Sequence, residues 1–179
     1  MVMICLLSPQ DIEAIWRIIN EAAQAYKGVI PQDCWHEPYM PREELVGELT
    51  AGVVFYGYEE DRSLLGVMGR QDKGEVVLIR HAYVQPAAQR RGVGSRLLQH
   101  ILKNETKPML VGTWAAADWA VSFYEKHGFR LVTPAEKDRL LKTYWTISAR
   151  QVETSVVLAD AKFFSANFLS SHRKLKTEN

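Results

Sequence analysis

A strand that leads through a glycine-containing turn into a helix is the feature that most restricts the fold of this chain. Glu75 to Val84 is a β-rich run, and Gly92 to Lys103 has apolar residues at helical spacing. The turn between them ends in Gln89-Arg90-Arg91-Gly92-Val93-Gly94. With Pro108 to Trp114 as a further apolar strand, the order strand, helix, strand is typical of α/β folds.

The other segments fit this order. Ser8 followed by Pro9 begins a helix that Gly28 ends. The remaining predicted elements are a strand in Met1 to Leu7, a helix over Pro41 to Leu49, strands over Val53 to Glu59 and Ser63 to Gly69, a helix ending at Gly128, a strand over Phe129 to Val132, a helical turn or two over Lys137 to Tyr144 and a strand over Val152 to Leu158. The three consecutive strands between Val53 and Val84 form a meander, and a βαβ unit follows. This order predicts one mixed, mostly antiparallel sheet of six or seven strands with helices on both faces.

Length and charge limit the classes of protein. The 179 residues fit one domain, and 22 Lys and Arg balance 21 Asp and Glu, so no overall field would hold nucleic acid or an anionic membrane. No apolar stretch reaches the ~20 residues of a membrane-spanning helix. Cys5 and Cys34 are too few for a disulfide framework and lack metal-ligand spacing. We expect a cytoplasmic protein without a metal, with a domain over residues 1–160 and an extension over 161–179 that packs on a partner or is disordered.

The turn before the helix over Gly92 to Lys103 predicts an anion site. The first N–H groups of a helix have no internal partner and lie at the positive end of its dipole. Gly92 and Gly94 have no Cβ to keep a diphosphate away, and Gln89, Arg90 and Arg91 add donors and charge. A Gly-x-Gly pair alone could equally serve only a tight turn, so its context has to decide.

Two other phosphate-binding motifs do not fit this turn. A dinucleotide-binding fingerprint needs a third glycine or alanine where the chain has Leu97, and an acidic residue about 20 positions further on, where the chain is apolar. A nucleotide-hydrolysing loop needs Gly-Lys-Ser/Thr, but Ser95 and Arg96 follow Gly94. Both classes are therefore disfavoured.

Two segments resemble those of the GNAT acetyl-coenzyme-A-dependent N-acetyltransferases. Val84-x-Pro86-x-x-Gln89-x-x-Gly92-x-Gly94 looks like the family's cofactor motif, and Ala120 to Phe129 is similar to its Ala-x-x-Phe-Tyr-x-Lys-x-Gly-Phe segment. The likeness covers the element order from Met3 to Leu158. It implies an acyltransferase with acetyl-CoA as cosubstrate, and a sheet that splays between its fourth and fifth strands.

The resemblance also implies the cofactor-binding residues. Backbone groups of Ala82 and Val84 would pair with the pantetheine arm of acetyl-CoA, and Tyr83 between them also belongs to the implied cofactor-binding residues. The amides of the loop would hold the pyrophosphate, and these belong to Gln89, Arg90, Arg91, Gly92, Val93, Gly94 and Ser95. Phe123 and Lys126 belong to the second motif, which flanks the cofactor thiol in the family.

The predicted chemistry is direct attack of an amine on a thioester. A phenol is protonated at neutral pH, so Tyr124 of the second motif is the candidate acid for the departing thiolate, and a backbone N–H near Ala82 could stabilise the oxyanion. Leu78 stands where some relatives have a glutamate base, which leaves His81 and Glu21 as candidate bases. Ala117 stands where many relatives have an asparagine, which removes one side-chain contact to the cofactor.

The acceptor is the least determined part of the prediction. Tyr26, Trp35, His36 and Tyr39 lie on and after the first helix and are expected on the acceptor side. A small-molecule primary amine is the favoured acceptor, and a protein or peptide amine is the alternative. Two other classes stay open: a non-catalytic acyl-CoA sensor, and an assembly protein that forms a homodimer through exposed strand edges.

Overall fold

The computed structural model describes residues 1–166. Within them the strands are β1 (Val2–Leu6), β2 (Val53–Glu60), β3 (Ser63–Asp72), β4 (Val77–Val84), β5 (Met109–Trp114), β6 (Arg130–Leu131) and β7 (Ser155–Ala159). The helices are α1 (Ile12–Ala23), α2 (Arg42–Thr50), α3 (Val93–Lys103), α4 (Asp118–Lys126), α5 (Pro134–Tyr144) and α6 (Ala149–Thr154). No helix among these residues is long and apolar enough to cross a membrane.

The strands form one sheet in the order β1-β2-β3-β4-β5-β7-β6. β2 pairs antiparallel with β1 and with β3, and β7 pairs antiparallel with β5 and with β6. The predicted mixed, mostly antiparallel sheet is therefore confirmed. The splay between the fourth and fifth strands stays a prediction.

Contacts divide the chain into two compact units. The first unit is Met1–Asp72 with Ile79–Glu105, and the second is Lys73–Leu78 with the described residues from Thr106 onward. Ser8 and Asp11 form a capping box at a 3₁₀ turn that continues into α1, which confirms the predicted helix start. The apolar stripe of α1 is buried with residues of α2, β2 and β3 in the core of this unit: Ile15, Ile18, Ile19, Met40, Leu45, Val53, Phe55 and Val67.

Helices cover both faces of the sheet in the first unit. Side chains alternate along a strand, so odd and even residues of β2 point to opposite faces. Val53 and Phe55 pack in the core with α1 and α2. On the other face Tyr56 lies 5.1 Å from the ring of His100, and the hydroxyl of Tyr58 accepts a hydrogen bond from Arg96, both on α3. This arrangement confirms the predicted placement of helices.

The second unit has its own core. Leu140 and Leu141 of α5 pack with strand residues and with Phe163, and residues 161–166 are helical. Phe163 is only 6% exposed. Phe168 and Leu169, which the sequence suggested could pack on a partner, lie outside the described residues. The domain boundary after residue 160 stays a prediction.

One predicted strand begins too early. The sequence indicated a strand from Val152, but α6 occupies Ala149–Thr154 and β7 begins at Ser155. The Ser148 side chain accepts a hydrogen bond from the Gln151 amide, and the Gln151 side chain bonds back to Ser148. This capping box commits the segment to a short helix despite its β-branched residues.

Candidate functional site

The turn after β4 has a backbone that favours glycine at one position. Pro86–Ala88 forms a 3₁₀ turn, and the buried Ala88 and Val93 anchor the segment on either side of the exposed residues between them. Arg90 has φ 62° and Gly92 has φ 80°, both in the left-handed region. α3 then begins at Val93, which confirms the predicted strand, turn and helix.

Gly92 is required for its conformation. A Cβ at this position would have no protein atom within 4 Å, so a side chain would not collide with the protein. The left-handed φ would nevertheless strain any L-residue other than asparagine or aspartate. A substitution at Gly92 therefore disturbs the turn itself before it bears on any ligand.

The start of α3 lacks a side-chain cap. Ser8, Thr133 and Ser148 each cap a helix start elsewhere in the described chain, whereas α2 and α4, like α3, begin without a side-chain cap. The N-cap of α3 is Gly92, which has no side chain to accept a hydrogen bond from the first amides. Val93, Gly94 and Ser95 are therefore the first helical residues of an uncapped helix, at the positive end of its dipole. Such a start suits an anion.

Two of the polar side chains of the turn, those of Gln89 and Arg91, already have partners within the first unit. Arg91 forms an ion pair with Glu60 of β2 at 2.5 Å, and Gln89 Nε2 donates to the carbonyl of Val84 at 3.3 Å. Arg90 is exposed. The predicted role of Gln89, Arg90 and Arg91 as donors to a diphosphate stays a prediction. The sequence gave no sign that Glu60 would hold Arg91.

The last residues of β4 precede this turn. Ala82, Tyr83 and Val84 are half-buried. The Tyr83 ring lies edge-on to Tyr26, with centroids 6.3 Å apart. Burial, and then the neighbouring Tyr26 and Tyr39, raise the pKa of Tyr83 well above its ordinary value. The Tyr83 phenol is therefore protonated at any physiological pH, and the cofactor role of this residue stays a prediction.

The aromatic residues predicted on the acceptor side come together in the first unit. Tyr39 is the central ring of the group. Its centroid lies 5.4 Å from that of Tyr26, 5.8 Å from Trp35 and 6.2 Å from His36. Through Tyr26 the cluster reaches Tyr83 of β4. Four separate sequence positions therefore form one surface beside that strand.

His81 lies in β4 next to a carboxylate that the sequence did not reveal. Its Nε2 is 3.1 Å from Oε2 of Glu48 on α2, and its ring stacks on Phe55 at 6.1 Å. Arg80 donates from Nη2 to the other oxygen, Oε1, at 2.7 Å. Glu48 is 32 and 33 positions away from these partners in sequence, so no local pattern could have indicated the group.

The electrostatics of Glu48 follow from these contacts. Burial acts to raise the pKa of its carboxyl group, but the close contact and charge of His81, and then the charge and hydrogen bond of Arg80, outweigh burial. The pKa of Glu48 consequently lies below its usual value. Glu48 is a carboxylate at neutral pH, so it accepts hydrogen bonds and donates none.

Glu21, the other predicted base, lies on the outer side of α1. Its side chain is 47% exposed, and its nearest charged group is Arg17 one turn earlier, at 3.9 Å. This is an ordinary solvated ion pair on a helix surface. The surroundings of Glu21 therefore support a base less well than those of His81.

Tyr124 and its motif lie in the second unit. Tyr124 is 4% exposed, and its ring lies 5.0 Å from Phe123 and 5.7 Å from Phe129. Lys126 is exposed in the last turn of α4. The helix and the following Phe129 thus have the arrangement that the motif predicts, and the roles of Tyr124, Phe123 and Lys126 stay predictions.

Comparison with known proteins identifies the family. Residues 17–143 match the family model described as the acetyltransferase (GNAT) domain. This segment is most of the chain, and it includes the turn after β4 and the α4 motif. The chain therefore belongs to the GNAT acetyltransferase family, which confirms the resemblance and the class of enzyme predicted from the sequence.

Individual relatives extend the comparison. The chain is 31% identical over 97 residues to the peptidyl-lysine N-acetyltransferase YiaC of Escherichia coli K12, a match that covers 54% of this chain and 64% of that protein. The PaiA N-acetyltransferase of Thermoplasma acidophilum, solved with coenzyme A, has a similar fold, with a TM-score of 0.66 and 18% identity. The match covers 89% of this chain and 98% of that chain. The ribosomal-protein-S18-alanine N-acetyltransferase of E. coli also has a similar fold, with a TM-score of 0.64 and 17% identity, over 89% of this chain and 93% of that chain. The two structural likenesses concern the fold alone.

Proposed function

We propose that this protein transfers the acetyl group of acetyl-CoA to a primary amine, with a small molecule as acceptor. The observation that carries the proposal is the uncapped start of α3 after Gly92, in a chain of the GNAT family. The amides of Gln89 to Ser95 are suited to the diphosphate of the cosubstrate. Backbone groups of Ala82, Tyr83 and Val84 would receive its pantetheine arm, and Phe123 and Lys126 would lie along it.

Besides acyl transfer, the reaction moves two protons away from the nitrogen and one proton onto the sulfur. The acceptor ammonium gives one proton to a base, and the neutral amine attacks the thioester carbonyl. A C–N bond forms, the C–S bond breaks, and the second proton leaves the new amide nitrogen for solvent. The thiolate takes a proton from Tyr124, which solvent then restores. The products are an N-acetyl amide, coenzyme A and one released proton.

We assign the base role to His81 and the acid role to Tyr124. His81 is supported by its paired and packed ring, whereas the surface pair of Glu21 makes that residue the second candidate. The support for Tyr124 is its position in the α4 motif, together with the chemistry of a phenol. An amide N–H near Ala82 would stabilise the oxyanion.

A peptidyl-lysine acceptor is the second candidate. It is favoured by the 31% sequence identity to YiaC, whose name describes it as a peptidyl-lysine N-acetyltransferase. A lysine side chain and a small primary amine present the same nucleophile, so they differ only in what surrounds it. The cluster of Tyr26, Trp35, His36 and Tyr39 is suited to contact these surroundings.

A panel of amines with thiol detection tests the proposal. The purified protein is mixed with acetyl-CoA and with polyamines, amino acids, aromatic amines or lysine-containing peptides, and thiol release is recorded. Release with small amines supports the first acceptor, and release with peptides alone supports the second. Calorimetric binding of acetyl-CoA without release from any amine would instead indicate an acyl-CoA sensor. Absence of binding would contradict the enzyme class.

A further inference from the structure

Two consecutive residues of β4 reach the same carboxylate. Arg80 donates to Oε1 of Glu48 at 2.7 Å, and Nε2 of His81 lies 3.1 Å from Oε2. The three side chains are only 14 to 17% exposed. Neighbouring residues of a regular strand point to opposite faces of the sheet. Arg80 and His81 depart from this rule because His81 has φ 48°.

The unusual backbone of His81 is built into the first unit. A left-handed conformation is unfavourable for histidine, and such residues cluster at functional sites. On β3, Gly69 makes room for this stretch, since a Cβ there would lie 2.8 Å from the carbonyl oxygen of Arg80. The chain thus combines an unfavourable conformation with a glycine that accommodates the adjacent backbone.

The contacts of the His81 ring distinguish its two nitrogens. Phe55 stacks on the ring with an interplanar angle of 25°, and Nε2 is enclosed and turned to Glu48. Neither Nε2 nor Oε2 of Glu48 has a hydrogen bond of ordinary geometry within residues 1–166. The 3.1 Å distance is within hydrogen-bond range, so a small rotation of the ring or of the carboxylate would complete the bond. Because a carboxylate only accepts, Nε2 must then carry the hydrogen and Nδ1 the lone pair.

We propose that Glu48 is a positioning residue that holds His81 in the tautomer whose Nδ1 takes a proton from the acceptor ammonium. The inference rests on the proposed function. The proton moves from the amine nitrogen to Nδ1, which makes His81 an imidazolium with Nε2–H directed at Glu48. The carboxylate stabilises this new charge, and the proton then leaves Nδ1 for solvent. No bond of the acyl transfer involves Glu48 itself.

A merely structural role for Glu48 is the competing explanation. Arg80 also donates to Oε1 of Gln71 at 2.8 Å, and Gln71 donates to the carbonyl of Ala51 at 3.0 Å. This network attaches α2 to β3 and β4. If Glu48 serves only the network, replacing Arg80 should have the same effect as replacing Glu48. If Glu48 acts through His81, the two replacements should differ.

The ring ¹⁵N shifts of His81 in histidine-labelled protein test the tautomer at pH 9, where an ordinary imidazole is neutral. The His81 signals are assigned by their loss in His81→Gln. We expect the Nε2–H tautomer in the wild type and in Arg80→Gln, and a mixture of tautomers in Glu48→Gln, because an amide can donate as well as accept. A wild-type protein whose His81 is in the Nδ1–H form would overturn the proposal, whatever the Glu48 and Arg80 variants show.

Kinetics with an amine that the panel identifies give the second test. We expect Glu48→Gln and His81→Gln each to lower kcat about tenfold or more, with the acetyl-CoA Kd within about twofold of the wild type. The double variant should be no slower than His81→Gln, because Glu48 acts only through that ring. Arg80→Gln should lower kcat less than Glu48→Gln does. Glu43→Gln, at an exposed position of α2, should have the wild-type kcat.

The outcomes separate the two proposals. Losses that multiply in the double variant, or equal losses in Glu48→Gln and Arg80→Gln, would show that Glu48 has only a structural role. A wild type that transfers no acetyl group to any amine would contradict the proposed function instead, and the tautomer measurement would still report on the Glu48–His81 pair. An active wild type whose Glu48→Gln variant keeps full kcat would remove Glu48 from the mechanism alone.

Discussion

Tyr124 is a buried tyrosine whose ring is enclosed by Phe123 and Phe129 in α4 and just beyond it. Packing of this kind fixes the direction of the phenol. A fixed phenol can serve as a proton donor, because the proton-transfer geometry costs no further ordering. The same packing would equally suit a core residue, so only kinetics distinguishes the two.

Replacing Tyr124 with phenylalanine keeps the ring and removes the donor. We expect kcat to fall about 100-fold, the low end of general acid catalysis, while acetyl-CoA affinity stays within about twofold. Steady-state kinetics and calorimetry measure the two quantities. Tyr144→Phe is the control, because the Tyr144 hydroxyl lies on α5 and donates to Glu75 at 3.4 Å. Equal kcat in Tyr124→Phe and the wild type would exclude Tyr124 as the acid.

Residues adjacent in sequence were the predictable part of the site. Gln89 to Ser95 form a continuous turn and helix start, so their pattern could be read directly. Glu48 and Glu60 could not be found in this way, because each meets its partner only when α2 or β2 comes against a distant segment. The left-handed φ of His81 was equally hidden, since nothing in a histidine side chain announces it.

At the scale of elements, α3 combines an apolar stripe with an unfinished N-terminus. Val93, Leu97, Leu98 and Ile101 are buried, so the helix is held by packing. Its stability does not depend on a cap. The first turn is consequently available to a ligand.

Ser95 allows the ligand to be tested without weakening the helix. Ser95→Asp places a negative charge in the first turn of α3, where it favours the helix dipole but repels a diphosphate. We expect acetyl-CoA to bind at least about tenfold more weakly, with an unchanged or slightly higher Tm. Calorimetry and thermal unfolding measure the two effects, and Ser95→Asn is the uncharged control. Unchanged affinity in Ser95→Asp would place the diphosphate elsewhere.

Most elements were predictable because periodicity and capping signals agreed in each. Ser8 at the start of α1 and Gly128 after α4 are such signals, and both helices form where expected. Two segments differ: α5 begins at Pro134, three residues before the predicted Lys137, and in α6 Val152 favoured a strand while Ser148 and Gln151 favoured a helix. The capping box prevailed over the propensity of a single β-branched residue.

For the molecule as a whole, Glu48 makes the free energy of unfolding depend on pH. Its pKa in the folded protein lies below the ordinary value, so the unfolded chain binds a proton more readily than the folded one. The stabilisation is fully present above the unfolded pKa of about 4.3, and it is lost as pH falls through the lower pKa of the folded state.

Glu48→Gln should therefore change the shape of the stability curve. We expect a lower free energy of unfolding at pH 7 than in the wild type, because Arg80 and His81 lose a largely enclosed carboxylate. Between pH 5 and pH 3 the variant should lose less stability than the wild type. Urea unfolding at several pH values measures this, with the exposed Glu43→Gln as control. Parallel curves for Glu48→Gln and the wild type would contradict the assigned pKa shift.

The end of the described chain has a practical consequence for anyone who shortens the gene. Asp160 accepts hydrogen bonds from the amides of Met109 and Phe163, and Phe163 fills part of the core beside Leu140 and Leu141. A stop codon after residue 160 would empty that space and leave Asp160 with one amide fewer. Expression trials should place the earliest truncation after residue 166, where every contact described above is retained.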